Sequence, residues 1–510
     1  MKSLFDGIRR LVSRRMFILL LILAQIAFLI AMLMRSFRLH WLVVLLNVIS
    51  ILTALHLLTR PDQKPFKNSL IFLILLFPLF GGAFYWIFHF QTTSVGFRKT
   101  LKQIEEKAKG AYAASPERLR DARGKLRDHQ KIITYLQNTA GFPIYRNTEA
   151  CYFSSGKEML TPLLEDLKSA KHYIFFEFFI MERGRMWDAI LEILEQKARE
   201  GVDVRVVYDD LGCFLTLPPN YAKSLEKRGI QCRVFNRFQP FLTSLQNNRD
   251  HRKIAVIDGR IAYTGGVNLA DEYIGEKIRF GLWKDSAIRL QGEGAWSFTV
   301  MFLQIWGLLS KKEEAYADYA PLPSLYTKGG GWVQPYSDSP IDGETVGEYV
   351  YMQMIEHAKE YLYITTPYFM VDDSMLSALK RAAASGVDVR IVTPGIPDKK
   401  PVHFTTRSYY KDLLKAGVRV YEFEKGFLHA KLFLSDDTMA TVGTVNLDFR
   451  SLYLHFECGV CLYLTPAIEE IKKDFFSTLE QCREITPEDC KAGPLKRLWQ
   501  SIARLFAPLM

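Results

Sequence analysis

The sequence predicts a mixed α/β protein of two homologous lobes, each a mixed β-sheet flanked by helices, with transmembrane helices preceding them. Three observations predict this fold class. Long apolar stretches crowd the N-terminus, strand-like and helix-like segments alternate after residue 137, and one set of segments recurs in the second half of the chain. At 510 residues the chain is long enough for two or three structural units.

The apolar stretches cover residues 16–34, 41–58 and 69–90. Each approaches the roughly 20 residues that cross a bilayer as a helix. A buried helix of a soluble fold would explain one stretch, but three in so short a segment are hard to bury. A cleaved signal peptide is not expected, because the first stretch exceeds the usual apolar region of about 7–15 residues and no small-residue cleavage site follows it. We therefore expect a multi-pass protein of the cell membrane.

The side of the membrane on which the lobes lie is harder to predict. Basic residues around the three stretches divide eight against seven between the two sides, so the positive-inside rule does not decide. Seven cysteines without a framework spacing disfavour an oxidising compartment, and we expect the lobes in the cytoplasm. Cys458 and Cys461 have the spacing of a redox pair, but residues three apart on the predicted strand face opposite sides.

The region after residue 137 contains a β-α-β pattern twice, which predicts layered α/β lobes with pseudo-twofold symmetry. Gly386–Val392 nearly repeats Gly201–Val207, and an apolar run and a helical segment precede each of them. The predicted units are a membrane region over 1–95, a polar linker over 96–137, a first lobe over 138–310, an inter-lobe linker over 311–340, a second lobe over 341–490 and an amphipathic helix over 491–510.

One histidine-containing segment occurs in each lobe with the same spacing. The first copy has His251, Lys253, Asp258 and Asn268, and the second has His429, Lys431, Asp436 and Asn446. A single histidine is more often structural than functional. Four residue types at matching offsets, in two copies at corresponding places, indicate a shared functional site.

The spacing also predicts how these residues are arranged. A histidine and a lysine two apart on a strand point to the same face. Asp258-Gly259 is a hairpin-turn signal, and a two-residue turn there sets His251 opposite Gly266. The equivalent turn in the second copy sets His429 opposite Thr444. We therefore expect a small residue beside each histidine, and a pairing of the lobes that brings both copies into one site.

Two histidines, two lysines and two asparagines in one site suit phosphodiester chemistry. One imidazole attacks phosphorus and forms a phosphohistidine, while the other protonates the departing alkoxide and then deprotonates the incoming alcohol. The lysines and asparagines hold the non-bridging phosphate oxygens. A metal site of His251, Asp258 and Asp271 is the alternative. We expect no metal and no cofactor, because Lys253 would place a cation on the face that a metal ion needs.

The paired H-x-K-x-x-x-x-D segments resemble the signature of the phospholipase D superfamily. Longer segments over 247–253, 265–273 and 446–451 are similar to those of bacterial cardiolipin synthases, and the resemblance covers nearly the whole chain. It implies that one phosphatidylglycerol passes its phosphatidyl group to a histidine and releases glycerol. A second phosphatidylglycerol then attacks and gives cardiolipin.

The resemblance also implies roles for individual residues. Asp258 and Asp436 of the catalytic motif serve the scaffold. A downstream acid orients each histidine through its second nitrogen, and Asp285 and Glu457 occupy the matching positions. The near-symmetric pair leaves open which histidine is the nucleophile, and the resemblance favours His251. Two features depart from the family pattern. The chain has three N-terminal apolar stretches where two are common, and His455 where an asparagine is common.

Residues 491–510 predict a basic amphipathic helix. Leu495, Leu498, Trp499 and Ile502 recur at helical spacing, with basic residues between them. The pattern is typical of a helix on a membrane surface, and also of a helix packed against the lobes. The basic rim favours the membrane surface.

Other functions share some of these features. A phospholipase D-type hydrolase would use the same residues, because only the acceptor distinguishes hydrolysis from transfer. The net charge of +11 suits nucleic acid as well as anionic headgroups, but the apolar stretches and the lack of a nucleic-acid-binding motif disfavour a nuclease. Two complete sets of reactive residues disfavour an inactive scaffold. We expect phosphatidylglycerol and anionic membrane lipids as partners and no nucleic acid, and the oligomeric state stays open.

Overall fold

The computed structural model describes residues 40–59, 66–77, 82, 85, 92–112, 114–237, 244–312, 314–321 and 329–510. The predicted membrane stretch over 16–34 lies outside these residues, as does part of the stretch over 69–90. The described residues belong to two compact units. One comprises those up to residue 97 with 244–248 and 505–510, and the other comprises those of 98–237 and 249–504.

The first unit contains two packed helices, α1 over His40–Thr59 and α2 over Lys67–Leu76. Leu57 and Ile74 are buried between them. The predicted stretch over 41–58 forms α1. Within the described part of the chain, no helix has both the length and the apolarity that a membrane span needs.

The second unit contains two large mixed sheets. The first sheet has seven strands in the order β1-β8-β6-β5-β2-β3-β4, of which β2, β3 and β4 are parallel and the others antiparallel. Its strands are β1 Thr148–Phe153, β2 Tyr173–Phe178, β3 Asp203–Asp209, β4 Gln231–Phe235, β5 Lys253–Ile257, β6 Ile261–Gly265 and β8 Ala287–Gly292.

The second sheet has eight strands in the order β17-β12-β11-β10-β14-β15-β16-β9. Its strands are β9 Trp332–Asp338, β10 Tyr361–Thr365, β11 Asp388–Pro394, β12 Arg419–Phe423, β14 Leu432–Ser435, β15 Met439–Gly443, β16 Glu457–Tyr463 and β17 Cys482–Glu484. The remaining strands, β7 Leu282–Lys284 and β13 Gly426–Leu428, pair in parallel with each other.

The two sheets share the order of their central strands. The run β6-β5-β2-β3-β4 in the first sheet corresponds to β15-β14-β10-β11-β12 in the second, with the same parallel and antiparallel neighbours. In both, a parallel β-α-β unit is followed by an antiparallel hairpin. The predicted mixed α/β class is confirmed by these sheets and the helices around them.

Amphipathic helices cover the sheets. In the helix over Arg185–Arg199, Trp187, Ile190 and Leu194 lie three or four residues apart on one face and are fully buried in the first lobe's core. The helix over 185–199 is α7. The other described α-helices are α3 Thr92–Lys109, α4 Pro116–Lys125, α5 Gln130–Asn138, α6 Gly156–Ser169, α8 Tyr221–Glu226, α9 Ala295–Ser310, α10 Val346–His357, α11 Asp373–Ala384, α12 Lys400–Lys415, α13 Phe449–Tyr453, α14 Ala467–Leu479 and α15 Pro494–Phe506.

Three segments that the sequence set aside as linker or tail have regular structure. Helices α3 to α5 occupy most of the polar segment over 96–137, and β9 lies within the segment over 311–340. In α15, Leu495, Leu498 and Trp499 are exposed, while the Arg504 guanidinium lies 2.7 Å from the Asp412 carboxylate. All seven cysteines are free, including Cys458 and Cys461 of β16.

The structure corrects the predicted register of both histidine hairpins by one residue. Strand β5 pairs with β6 so that Ile257 faces Ile261, and β14 pairs with β15 in the same manner. The turns therefore contain three residues, 258–260 and 436–438, where two were predicted. The first two residues of each turn have positive φ angles between 51° and 64°, and the third donates its N–H back across the turn. The extra residue moves Gly266 and Thr444 out of register with the histidines.

Candidate active site

Both histidines lie where the two lobes meet, at the start of the central hairpin. Lys253, the first residue of β5, pairs with the last residue of β2, so His251 lies at the carboxyl edge of the parallel strands. Its backbone N–H donates to the carbonyl of Phe456 in the second lobe at 2.9 Å. In the reciprocal contact, the N–H of His429 donates to the carbonyl of Lys284 in the first lobe at 2.7 Å. Each histidine is thus fixed by the backbone of the opposite lobe.

The predicted orienting acids are crossed between the lobes. His251 Nδ1 lies 2.9 and 3.0 Å from the two carboxylate oxygens of Glu457, which belongs to the second lobe. His429 Nδ1 lies 2.6 Å from Asp285 Oδ2 in the first lobe. Both acids are completely buried, and each histidine is 7% exposed. Because Nδ1 is engaged by the acid, the reactive Nε2 of each ring is left for substrate.

Gly266 after β6 and Thr444 after β15 were predicted to lie beside the histidines. They lie instead beside the acids, Gly266 next to Asp285 and Thr444 next to Glu457. A Cβ on Gly266 would lie 2.0 Å from Asp285 Oδ1, so only glycine leaves room for this carboxylate. At the equivalent position the Thr444 hydroxyl donates to Glu457 Oε2. Both positions directly follow a strand that pairs with the strand next to the acid, β6 with β8 and β15 with β16.

Two lysines are buried with the histidines. The Nζ of Lys253 donates to the carbonyl of His251 at 2.7 Å, and Lys431 makes the same bond to the carbonyl of His429. Each lysine is 1% exposed. Burial lowers the pKa of Lys253 to about 8 and the pKa of Lys431 to about 7. These cations make the site a receptor for an anion.

The same surroundings keep the imidazoles neutral. Burial, and after it the charge of Lys431, lowers the pKa of His429 to about 4. Burial, and then the charges of Lys253 and Lys431, holds the pKa of His251 well below its usual range. The contacts of His251 with Glu457 and of His429 with Asp285 bring the two motifs together between the lobes. A neutral imidazole is the form that attacks phosphorus.

The predicted asparagines lie just beyond the hairpins. Asn268 Nδ2 donates to the Tyr273 hydroxyl at 2.7 Å, and Asn268 Oδ1 accepts from the backbone N–H of Ile180 at 3.1 Å. This orients the amide and leaves its second N–H for a ligand. Asn446 is also buried, and its Oδ1 has no hydrogen-bond partner among the described residues.

The motif aspartates lie at the far ends of the hairpins. Asp258 accepts the N–H groups of residues 171–173 at 2.8–2.9 Å, and Asp436 accepts those of residues 359–361 at 2.9–3.0 Å. Both carboxylates therefore anchor a turn to the start of the preceding parallel strand. Neither carboxylate has a hydrogen bond to His251 or His429.

The alternative metal site of His251, Asp258 and Asp271 is wrong. Asp258 is held at the far turn, and Asp271 accepts the N–H groups of Arg185 and Met186 at the start of α7, both at 3.0 Å. Another trio does converge, since potential ligand atoms of His251, His455 and Glu457 lie within 4.8 Å of one another. The two buried ammonium groups beside it favour an anion over a metal cation.

The surroundings of the two histidines differ, and the sequence did not reveal this. Near His251, Arg249 pairs with Asp209 at 2.8 Å, and Arg252 lies 2.6 Å from Glu177, all four being buried. The runs of charge around 249–253 were visible in the sequence, but their partners come from distant strands.

Around His429 the neighbours are aromatic. The rings of Trp283, Tyr273 and Phe427 have centroids 5.6–5.8 Å from the His429 ring. Trp283 and Phe427 are paired residues of β7 and β13, the parallel strands contributed by the two lobes. A motif search does not find these residues, because they are far apart in the sequence and come together only around His429 in the fold.

Comparison with known proteins points to one family. A family model described as "Cardiolipin synthase, PLD-like domain" matches residues 163–278 and 351–479, which include the two histidines. A cardiolipin synthase of Alkalihalophilus pseudofirmus is 36% identical over 93% of this chain and 96% of its own. An uncharacterised protein of Streptococcus mutans is 44% identical over 86% of this chain and 95% of its own.

A solved structure has the same fold. The crystal structure of phosphatidylserine synthase from Haemophilus influenzae superposes with a TM-score of 0.55 at 15% identity, covering 75% of this chain and 98% of that one. At this identity the likeness concerns the fold alone. The family model and the 36% identity to a cardiolipin synthase over most of both chains show more than the fold. They show that the chain belongs to the cardiolipin synthase family of proteins with phospholipase D-like domains.

Proposed function

We propose that this phosphatidyltransferase makes cardiolipin by moving a phosphatidyl group from one phosphatidylglycerol to a second. The observation that carries the proposal is the pair of buried histidines, each oriented by a carboxylate of the opposite lobe. The two lysines beside them supply the positive charge that a phosphodiester needs. The relatives named as cardiolipin synthases support the choice of lipid.

The first half-reaction uses one histidine as nucleophile and the other as acid. His251 Nε2 attacks phosphorus as the bond from phosphorus to the glycerol oxygen breaks. His429, protonated when the substrate's negative charge offsets the lysines, gives its proton to that oxygen, and glycerol leaves. Glu457 stabilises the positive charge that develops on the His251 ring.

The second half-reaction reverses these roles. Neutral His429 takes the proton of a glycerol hydroxyl on the second phosphatidylglycerol, and that oxygen attacks phosphorus. The bond from phosphorus to His251 breaks, and cardiolipin is released. Lys253, Lys431 and the two asparagines hold the non-bridging oxygens in both steps.

We also propose that the protein is embedded in the cell membrane, with its lobes on the cytoplasmic side. The three N-terminal apolar stretches and the free cysteines support this placement. The exposed Leu495, Leu498 and Trp499 of α15 support a role for that helix at the headgroup plane. A chain that ends after Gly493 should then turn over vesicle-bound lipid less well than the full chain, and equal turnover would contradict this role.

The test of the function is a product assay on purified full-length protein in vesicles that contain phosphatidylglycerol. Cardiolipin and free glycerol should appear in equal amounts, and both should disappear in His251→Ala and His429→Ala. Phosphatidic acid in place of cardiolipin would assign the protein to the hydrolases with the same site. No turnover of phosphatidylglycerol would contradict the proposal.

A further inference from the structure

We infer that three loops around the histidines form an apolar ring that inserts into an anionic phospholipid bilayer and seats the active site on the lipid surface. The ring consists of Leu211, Phe214 and Leu215 after β3, Ile278 and Leu282 before and within β7, and Ile396 after β11. The inference rests on the proposed lipid function and adds a surface through which the enzyme meets its substrate.

The exposed apolar side chains of the lobes are concentrated in these loops. Among the described residues between 98 and 493, seven large apolar side chains are exposed, and six of them belong to the ring. Leu215 is 92% exposed and Ile278 is 85% exposed, so they contribute almost nothing to the folded core. Leu464 is the seventh, and it follows β16 outside these loops. Such clustering indicates an interaction surface.

The first loop is anchored next to His251. The N–H groups of Leu211 and Gly212 donate to Asp209 Oδ1, at the carboxyl end of β3. Gly212 packs so closely on Phe179 that a Cβ there would lie 2.0 Å from the Phe179 carbonyl oxygen. The Phe179 ring in turn lies 5.0 Å from the His251 ring. Phe214 and Leu215, both exposed, therefore belong to a loop that is fixed beside the His251 ring.

The second loop is anchored next to His429. The Phe280 ring lies 6.4 Å from Trp283 and 6.2 Å from Phe427, and both of those rings contact His429. Ile278 and Leu282 flank Phe280 and are exposed. The segment that carries Ile278 and Leu282 is thus connected to the His429 ring through Phe280 and then Trp283 or Phe427.

The third loop approaches the same aromatic group from the second lobe. Asp398 accepts from the Tyr368 hydroxyl at 2.6 Å, and Lys399 Nζ lies 5.3 Å from the Tyr368 ring. The Tyr368 ring is 6.4 Å from Phe427. Ile396, two residues before Asp398, is exposed. Each loop is thus linked through aromatic rings to one of the two histidines, and in this inference the three loops together surround one mouth of the site.

The chemistry of the ring suits a bilayer better than a protein partner. Its apolar residues stand on separate loops and do not form one continuous groove or helix face. Exposed basic residues stand beside them: Lys277 and Arg279 flank Ile278, and Lys399 and Lys400 follow Ile396. Lys277 also pairs with Glu182, and Arg279 with Glu272. Apolar side chains that enter the acyl region, with cations at the headgroup level, are typical of interfacial binding to anionic lipid. A phosphodiester at the headgroup plane would then face the mouth directly.

The test compares two substrates in the full-length protein. Leu215→Ser/Ile278→Ser removes the two most exposed members of the ring, and Leu464→Ser is the matched control elsewhere. We expect the double variant to lose about tenfold or more of its turnover in phosphatidylglycerol vesicles, and the control to lose none. Turnover of monomeric dihexanoylphosphatidylglycerol should stay within about twofold of the unsubstituted protein in both.

Each other outcome overturns the inference in a recognisable way. Equal vesicle turnover in the double variant would mean that the ring does not engage lipid. An equal loss on the monomeric substrate would place these residues in catalysis. A loss of self-association that parallels the loss of turnover would make the ring a contact between two copies of the chain. No turnover of either substrate by the unsubstituted protein would contradict the proposed function itself.

A direct measurement of insertion completes the test. Leu215→Cys, labelled with an environment-sensitive fluorophore in the protein reconstituted in anionic nanodiscs, should be brighter and emit at shorter wavelength than the same label at the exposed control position 464. Leu464→Cys is labelled in the same way, and the unsubstituted protein gives the background from the native cysteines. Equal responses at positions 215 and 464 would contradict insertion of the ring.

Discussion

Gly266, the residue that follows β6, occupies a position where only glycine fits. Gly266 faces Asp285 so closely that an added Cβ would lie 2.0 Å from Oδ1. The equivalent Thr444 is instead a donor to Glu457. The two halves of the site have thus diverged in the way they hold their acids, although their histidines and lysines occupy matching places.

Gly266→Ala should lower kcat by about tenfold or more, because the methyl group displaces the Asp285 carboxylate from His429. Thr444→Ala is the comparison, since it removes a hydrogen bond without adding bulk and should cost less. Turnover measurements with a thermal unfolding control separate loss of activity from loss of folding. A Gly266→Ala enzyme with normal kcat would show that the position of Asp285 is unimportant.

The lysine pKa values predict an early alkaline limb in the pH profile. The pKa of Lys431 is about 7 and that of Lys253 about 8, because both are buried. Each pKa is below that of a free lysine, so the binding charge is lost as pH rises through the range of about 7–8. We expect kcat/KM to fall over that range. Lys431→Arg, which retains its charge, should move the fall to higher pH, and an unchanged limb would contradict this assignment.

At the scale of the element, the histidine hairpin is the unit from which the site is built. Its histidine and lysine could be predicted to share a face, because side chains alternate along a strand. The register of the hairpin could not be predicted, because an Asp-Gly or Asp-Asp pair does not specify whether the turn contains two residues or three. The left-handed backbone at both turn positions is compatible with either length.

The motif aspartates give a prediction about the stability of this element. Asp258→Ala removes the acceptor of three backbone N–H groups and should destabilise the fold by about 2–4 kcal/mol. Asp258→Asn keeps an oxygen in place and should cost less. Asp436→Ala should behave like Asp258→Ala, because its contacts match. Thermal unfolding midpoints check the order, and a stable but inactive Asp258→Ala would instead place the carboxylate in catalysis.

At the scale of the whole molecule, neither lobe holds a complete site. Each lobe supplies a histidine, a lysine and the acid for the other lobe's histidine. The parallel pair of β7 and β13 brings Trp283 against Phe427 between them. The family resemblance pointed to the acids Asp285 and Glu457, but it did not reveal the crossing, because the crossing depends on how the lobes dock and not on distance along the chain.

The most direct test of the crossed arrangement is the burst of p-nitrophenol from a phosphatidyl-p-nitrophenol substrate, because this leaving group needs no acid. In a His429→Ala background we expect one p-nitrophenol per protein chain and a phosphatidyl adduct on His251. Glu457→Gln in that background should slow the burst by about a hundredfold, and Asp285→Asn should not. A burst that depends on Asp285 and not on Glu457, or an adduct found in the His251→Ala protein instead, would contradict the crossed assignment.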